Sequence, residues 1–120
     1  MEVCGGQTHS LLKFGLVDLL EPVISLIHGP GCPVCVTDAG FIDQAIQLAR
    51  SPGVTLATFG DLLRVPGTRR SLLSASTEGA NVLPVYSPMD AVRFAEQHPR
   101  QNVVFFAVGF ETTVPATASA

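Results

Sequence analysis

The chain has 120 residues, 47% of them hydrophobic and only 14% charged, and its formal net charge is −3 at pH 7. This composition is typical of a globular protein with a buried core and excludes an intrinsically disordered chain. There is no basic cluster to bind nucleic acid, and no apolar run reaches the roughly 20 residues that span a bilayer. No signal peptide is predicted, so we expect a cytoplasmic protein with neither nucleic acid nor membrane as partner.

The first third of the chain predicts short elements separated by glycine and proline. Apolar residues alternate there with residues that cap or end helices. The predicted elements are a strand at 1–3, a tight turn at 4–6, a helix at 11–14 capped by Thr8 or Ser10 and ended by Gly15, a short helix at 16–20 and a buried strand at 23–27.

The rest of the chain alternates more regularly between helix and strand patterns. Asp38 caps the strongest predicted helix, at 38–50, where apolar residues from Phe41 to Ala49 recur at helical spacing. The other predictions are strands at 54–58, 82–86 and 103–108, a helical turn at 61–64, helices at 71–78 and 87–97, and the start of a helix at 114. The continuous apolar run at 103–108 is typical of a strand buried on both faces.

Strand and helix follow each other about five times, which predicts an α/β fold with a mainly parallel sheet flanked by helices. We expect residues 1–120 to be one α/β fragment of a longer protein, with residues 65–70 as the only candidate for an internal boundary. Functional sites of such sheets form beyond the carboxyl ends of the strands. The residues expected to meet at that rim are Cys4, Cys32, Cys35, Asp61, Asp90 and Glu111.

Two glycine-rich stretches, residues 4–9 and 28–36, hold all three cysteines and two of the three histidines. Cys32 and Cys35 are separated by two residues, a spacing that can close a disulfide or share a metal. In the cytoplasm such pairs are more often redox-active or metal-binding than structural. A redox pair needs an exposed thiol beside a helix start or a cation, whereas the predicted helix begins after both thiols. Two buried hydrophobes on a turn, or a zinc site with Cys4 and a histidine, are the alternatives.

The other candidates are four residues with more than one interpretation and two aspartates. Cys4 either lies buried before a helix or is approached closely by another group, because its neighbours Gly5 and Gly6 have no side chains. His9 is a metal ligand, a proton carrier or a helix-start residue bonded to backbone, and His28 either ligates a metal or braces its own loop. Glu111 either bonds backbone amides or is a functional acid facing the thiols. Asp61 and Asp90 are predicted helix caps.

Three motifs in one chain resemble the HypD family of hydrogenase maturation proteins. They are MEVCGGQTH at residues 1–9, HGPGCPVCV at 28–36 and GFETT at 109–113, and the resemblance covers the whole chain. The chain departs from the family at Gln7, where many members have histidine. Family members are longer, and a later region absent here supplies the cysteines for their [4Fe-4S] cluster.

The resemblance implies a redox-active assembly scaffold rather than a conventional turnover enzyme. With the small chaperone HypC, and with cyanide delivered through HypE and HypF, such a scaffold assembles the Fe(CN)2CO unit of [NiFe]-hydrogenase. A thiolate suits low-spin ferrous iron, and a dithiol exchanges electrons in pairs. The implied roles are Cys4 as iron ligand, Cys32 and Cys35 as the thiol–disulfide pair, His9 and Glu111 as cleft residues, and Gly5, Gly6, His28 and Thr112 as residues that bind the iron unit. A general thiol–disulfide oxidoreductase and a non-catalytic zinc-binding domain are the alternative functions.

Overall fold

The computed structural model describes all residues from Met1 to Ala120 and divides them into two compact units, Met1–Val36 and Thr37–Ala120. The first unit contains three short helices, α1 (Gly5–Lys13), α2 (Leu16–Leu20) and α3 (Pro33–Val36). None of its residues is fully buried. The division falls between Val36 and Thr37, and residues 65–70 lie inside the second unit.

The predicted strands at 1–3 and 23–27 are wrong. Only a single parallel bridge forms, in which the Glu2 amide donates to the Ile27 carbonyl at 2.8 Å and the Gly29 amide donates to the Glu2 carbonyl at 2.6 Å. A strand is stable when neighbouring strands pair with it and a packed layer covers it. Residues 23–27 have no such pairing and no cover, and Val23 is 85% exposed.

Helix α1 begins earlier than predicted. Cys4, rather than Thr8 or Ser10, is its N-cap residue, and the Thr8 amide donates to the Cys4 carbonyl at 3.0 Å. The two glycines predicted to form a turn are therefore the first two helical residues. Gly15 has a φ of 64° and separates α1 from α2, as its predicted role as a helix stop requires.

The second unit follows the predicted order closely. Asp38 caps the first helix by accepting a hydrogen bond from the Gly40 amide at 2.7 Å. Its elements are α4 (Ala39–Arg50), β1 (Val54–Phe59), a 3-10 helix (Gly60–Arg64), α5 (Leu72–Thr77), β2 (Val82–Val85), α6 (Pro88–Gln97), β3 (Asn102–Phe106), a second 3-10 helix (Glu111–Thr113) and α7 (Val114–Ala118). No helix of either unit is long and apolar enough to cross a membrane.

The sheet is parallel, with strand order β2-β1-β3, so the predicted α/β class is confirmed. It has three strands rather than about five, because the apolar segments of the first unit do not join it. The strand buried on both faces is β1, since Leu56 and Ala57 point to opposite faces and are 1% and 0% exposed. The apolar run predicted for that position forms the edge strand β3, and its residues 103–106 are only half-buried.

Helices cover both faces of β1. Four residues of α4 are buried, namely Ile42, Ala45, Ile46 and Ala49, whereas Phe41 of the predicted stripe is 58% exposed. On the other side, Ala91 of α6 packs in a cluster with Ala57 of β1 and Val85 of β2. The second unit therefore has a core of its own.

Candidate functional site

All three cysteines lie in the first unit, on α1 and on residues 28–36, which we call the thiol loop. Gly31 shapes this loop, because its φ of 94° lies in the left-handed region that favours glycine. A Cβ atom at Gly31 would also lie 3.2 Å from Cγ1 of Val36 and 3.6 Å from Cβ of Cys35. The glycine thus lets the loop turn back on itself and begin α3 between the two thiols.

Cys32 and Cys35 are both free thiols, and their sulfur atoms lie 3.1 Å apart. The Cys32 thiol donates a hydrogen bond to the Cys35 sulfur, and the Cys35 amide donates to the Cys32 sulfur at 3.4 Å. A disulfide bond is about 2.05 Å long. A small movement of either side chain therefore brings the pair to bonding distance.

Cys35 also meets the N-terminus of α1. A Cβ atom at Gly5 would lie 3.6 Å from the Cys35 sulfur, so this sulfur lies beside the first residue of the helix. The backbone amides of Gly6 and Gly5 lower the pKa of the Cys35 thiol. The first amides of a helix have no partner within the helix, and the positive end of the helix dipole favours an anion there. The helix start that a reactive thiol requires is thus supplied by α1, far away in the sequence, and not by the helix that follows the thiol loop.

These bonds separate the acidities of the two thiols. The hydrogen bond from the Cys32 thiol, followed by the Gly6 amide, lowers the pKa of Cys35 from 9.0 to about 7. The same sulfur–sulfur bond raises the pKa of Cys32, because Cys32 must give up the donated proton in order to ionise. When the pair loses its first proton, the negative charge therefore resides on Cys35.

Cys4 is the N-cap residue of the same helix and is half-buried. Its backbone amide donates to Oε1 of Glu2 at 2.6 Å, which fixes the backbone on the N-terminal side of the thiol. A Cβ atom at Gly6 would lie 3.8 Å from the Cys4 sulfur, so this flank of the sulfur is bordered by a residue without a side chain.

The two histidines of the motifs differ in their surroundings. The His28 ring nitrogen Nδ1 lies 3.3 Å from Oγ1 of Thr8, a contact that joins the thiol loop to α1. His9 is exposed and its ring has no hydrogen-bond partner, and the neighbouring Gln7 is also exposed. The sequence did not indicate the contact of Thr8 with His28 or that of Glu2 with the Cys4 amide. Each is a single hydrogen bond, and no residue spacing predicts it.

The remaining predicted site residues belong to the second unit. Glu111 and Thr112 lie in the exposed second 3-10 helix. Asp90 accepts a hydrogen bond from the Ser87 amide at 3.0 Å and Asp61 accepts one from the Leu62 amide at 3.0 Å, so both aspartates bond local backbone as predicted caps do. No strand of the sheet precedes the thiols. The expectation that they lie with these acids at one edge of the sheet assumed strands at 1–3 and 23–27, and these strands are absent.

Neither resident metal centre considered from the sequence fits the residues present. A structural zinc site needs four ligands, and no three His, Cys, Asp or Glu side chains are grouped to hold a metal ion. A [4Fe-4S] cluster needs four thiolates, and the chain has three cysteines. The arrangement instead offers one solitary thiol beside a closely spaced pair.

Comparison with known proteins agrees with these motifs. The family model HypD, described as "Hydrogenase formation hypA family", matches residues 1–120. The chain is 57% identical over 119 residues to the hydrogenase maturation factor HypD of Azotobacter vinelandii, covering 98% of this chain and 31% of that protein. It is 56% identical over 118 residues to HypD of Escherichia coli strain K12, covering 98% and 32%.

A third relative, the hydrogenase maturation factor HypD of Rhodobacter capsulatus, is 52% identical over 120 residues, covering 100% of this chain and 32% of that protein. The chain thus spans about a third of the length of the relatives it matches. The match over the full 120 residues, together with identities above one half, shows that the chain belongs to the HypD family of hydrogenase maturation factors.

Proposed function

We propose that this chain forms the thiol-bearing part of a scaffold on which the Fe(CN)2CO unit of [NiFe]-hydrogenase is assembled. The observation that supports it most directly is that Cys4 and Cys35 lie at the same end of α1, Cys4 as its N-cap residue and Cys35 beside its first residue, Gly5. A HypC-like chaperone and a HypE-like cyanide donor are the proposed partners, by membership of the family.

In this proposal the Cys4 thiolate is the ligand for the iron cargo. Sulfur is a soft donor that suits iron carrying cyanide and carbonyl. Gly6, which has no side chain, borders the Cys4 sulfur, and His28 is braced by Thr8 near the same helix. His9, Glu111 and Thr112 are proposed as further cleft residues because they belong to the family motifs.

Cys32 and Cys35 are the proposed thiol–disulfide pair. Forming their disulfide makes one S–S bond and releases two protons and two electrons, and reduction of that bond reverses the step. The 3.1 Å sulfur–sulfur distance and the lowered pKa of Cys35 support this role. The same two observations also favour the second candidate function, a thiol–disulfide oxidoreductase of another pathway.

Infrared spectroscopy of the complete protein, purified with its small chaperone, tests the proposal. Cyanide and carbonyl bound to iron absorb where proteins do not, so the assembled unit gives bands of its own. We expect Cys4→Ser to lose these bands almost completely, because a serine hydroxyl is a hard and weak donor to this iron.

The control is the redox titration of Cys32 and Cys35 in the same Cys4→Ser protein, which should be retained. If the variant kept the infrared bands, Cys4 would not be the iron ligand. If the wild-type complex had no bands but the pair still cycled, the general oxidoreductase would be the better description.

A further inference from the structure

We propose that Cys35, and not Cys32, is the attacking thiol of the pair, and that the backbone amides of Gly5 and Gly6 hold its thiolate. This inference rests on the proposed thiol–disulfide function and specifies which of the two thiols reacts first. It also gives the two glycines a defined task, which is to present the first amides of α1 to the Cys35 sulfur.

The Cys32 thiol donates a hydrogen bond to the Cys35 sulfur, and Gly5 at the start of α1 lies beside that sulfur. Cys35 is exposed, so an incoming molecule can reach it, whereas Cys32 is half-buried. The Cys32 proton is directed at Cys35 and is retained while Cys35 is ionised. The geometry therefore separates a charged, accessible sulfur from a protonated one behind it.

The closeness of α1 to Cys35 is an independent observation. A Cβ atom at Gly5 would lie 3.2 Å from Cβ and 3.6 Å from Sγ of Cys35. The first of these distances is shorter than ordinary contact between carbon atoms. Only a residue without a side chain lets the sulfur come within hydrogen-bonding reach of the helix amides. The nine residues of α1 are enough to give that end an effective dipole.

The step is a balanced thiol–disulfide exchange. The Cys35 thiolate attacks one sulfur of an incoming disulfide R–S–S–R′, forming a Cys35–S–R bond, and R′–S⁻ leaves with the electron pair of the broken bond. Cys32 then loses its proton to the leaving thiolate and attacks the Cys35 sulfur, 3.1 Å away. The Cys32–Cys35 disulfide forms and R–S⁻ leaves, so the incoming disulfide has been reduced to R′–SH and R–S⁻.

The expected preference can be estimated from the acidities. With a pKa of about 7, roughly half of Cys35 is thiolate at pH 7, against roughly 1% of a thiol at the ordinary value of 9.0. The less basic thiolate is also the weaker nucleophile, which offsets part of this advantage. Cys35 should then react about fivefold faster than a thiol with the ordinary pKa, and Cys32, whose pKa is raised beside Cys35, should be slower still.

Glutathione disulfide is the probe, applied at pH 7 to the reduced complete protein, and mixed disulfides are located by peptide mass mapping. Cys32→Ser keeps a hydroxyl donor beside Cys35 and should trap glutathione on Cys35. Cys35→Ser should trap it on Cys32 about fivefold more slowly. A Cys35→Ser protein that reacted as fast as Cys32→Ser would overturn the assignment. Failure of the wild type to form any Cys32–Cys35 disulfide would overturn the thiol–disulfide function itself.

Gly5→Ala tests the amides while it keeps every thiol. Its methyl group should push Cys35 away from α1 and slow glutathione capture at Cys35 severalfold, with the helix content unchanged by circular dichroism. Gly60→Ala is the matched control, since nothing lies within 4 Å of a Cβ atom there, and it should react like the wild type. Equal rates for Gly5→Ala and the wild type would contradict the role of the amides.

Discussion

At the scale of single residues, the thiol pair shows how little a motif says about which of its members reacts. The spacing of Cys32 and Cys35 predicted a pair that could exchange electrons, and the sulfur atoms do lie 3.1 Å apart. The hydrogen bond between the two thiols makes the largest difference between their pKa values, and contact with Gly5 and Gly6, more than 25 residues earlier in the chain, adds to it. Nothing in the sequence around the pair could indicate that contact, because it depends on how α1 and the thiol loop pack.

The pH dependence of Cys35 alkylation follows from its pKa. Only the thiolate reacts, so the rate with iodoacetamide should rise with pH, pass its midpoint at about 7 and level off above it. Peptide mass mapping of briefly treated complete protein measures the rate at each cysteine. Because the folded state lowers this pKa, the associated stabilisation is complete above pH 9 and is lost as the pH falls through 7.

Two substitutions of Cys32 sharpen this measurement. Cys32→Ala removes the donated hydrogen bond that lowers the pKa of Cys35 most, so the midpoint should move upward toward 9.0. Cys32→Ser retains a donor and should leave the midpoint nearer 7. If the Ala and Ser variants had the same midpoint, the bond from Cys32 would not be the main cause of the low pKa.

At the scale of elements, helices with complete end signals were predicted well and isolated apolar segments were not. Helix α6 begins with Ser87, Pro88 and Asp90, and the structure contains the reciprocal capping bonds that these residues predict. Residues 23–27 have the composition of a strand but no partner, and composition alone does not say where a partner lies. The same reasoning explains why the most apolar run became an edge strand.

Removal of the α6 cap should weaken the second unit measurably. Ser87 Oγ accepts a hydrogen bond from the Met89 amide at 3.2 Å, and Ser87→Ala leaves that amide without it. The expected cost is about 1 kcal/mol of unfolding free energy, measured by urea denaturation followed by circular dichroism.

Glu96→Gln is the control on the same helix, because Glu96 is exposed and makes no hydrogen bond or ion pair. Its effect should stay within about 0.5 kcal/mol. Equal denaturation midpoints for Ser87→Ala and Glu96→Gln would show that the cap contributes nothing to the stability of the unit.

At the scale of the whole molecule, the core and the candidate site lie in different units. Every buried hydrophobic residue belongs to residues 37–120, whereas all three cysteines belong to residues 1–36. The sequence predicted the α/β class and the chemistry of the thiols separately. It could not show that they occupy different units, because apolar content was similar along the chain.

Amide hydrogen exchange should reveal this division. Backbone amides in β1 and α4, which surround residues such as Leu56 and Ile42, should exchange slowly because their opening requires the core to unfold. Amides in α1 and α2 should exchange much faster, because no buried residue holds these helices. Mass spectrometry of exchanged peptides from the 120-residue chain provides the comparison.

Peptides from the exposed turn at residues 99–101 supply the fast-exchanging reference within the second unit. Protection of α1 equal to that of β1 would contradict the conclusion that the thiol-bearing unit has no core of its own. Intermediate protection of the Glu2–His28 bridge would fit its two backbone hydrogen bonds.

The strand order β2-β1-β3 leaves the outer backbone groups of β3 free to recruit a further strand. Its sequence, Asn102–Phe106, carries no charge and no proline, which is the composition of segments that stack into fibrils. The opposite edge of the sheet, β2, is protected from pairing with a further strand, because Pro84 has no amide hydrogen to donate. Concentrated solutions of these 120 residues should therefore grow cross-β aggregates from one side of the sheet only, and a lysine in place of Val104 should delay that growth.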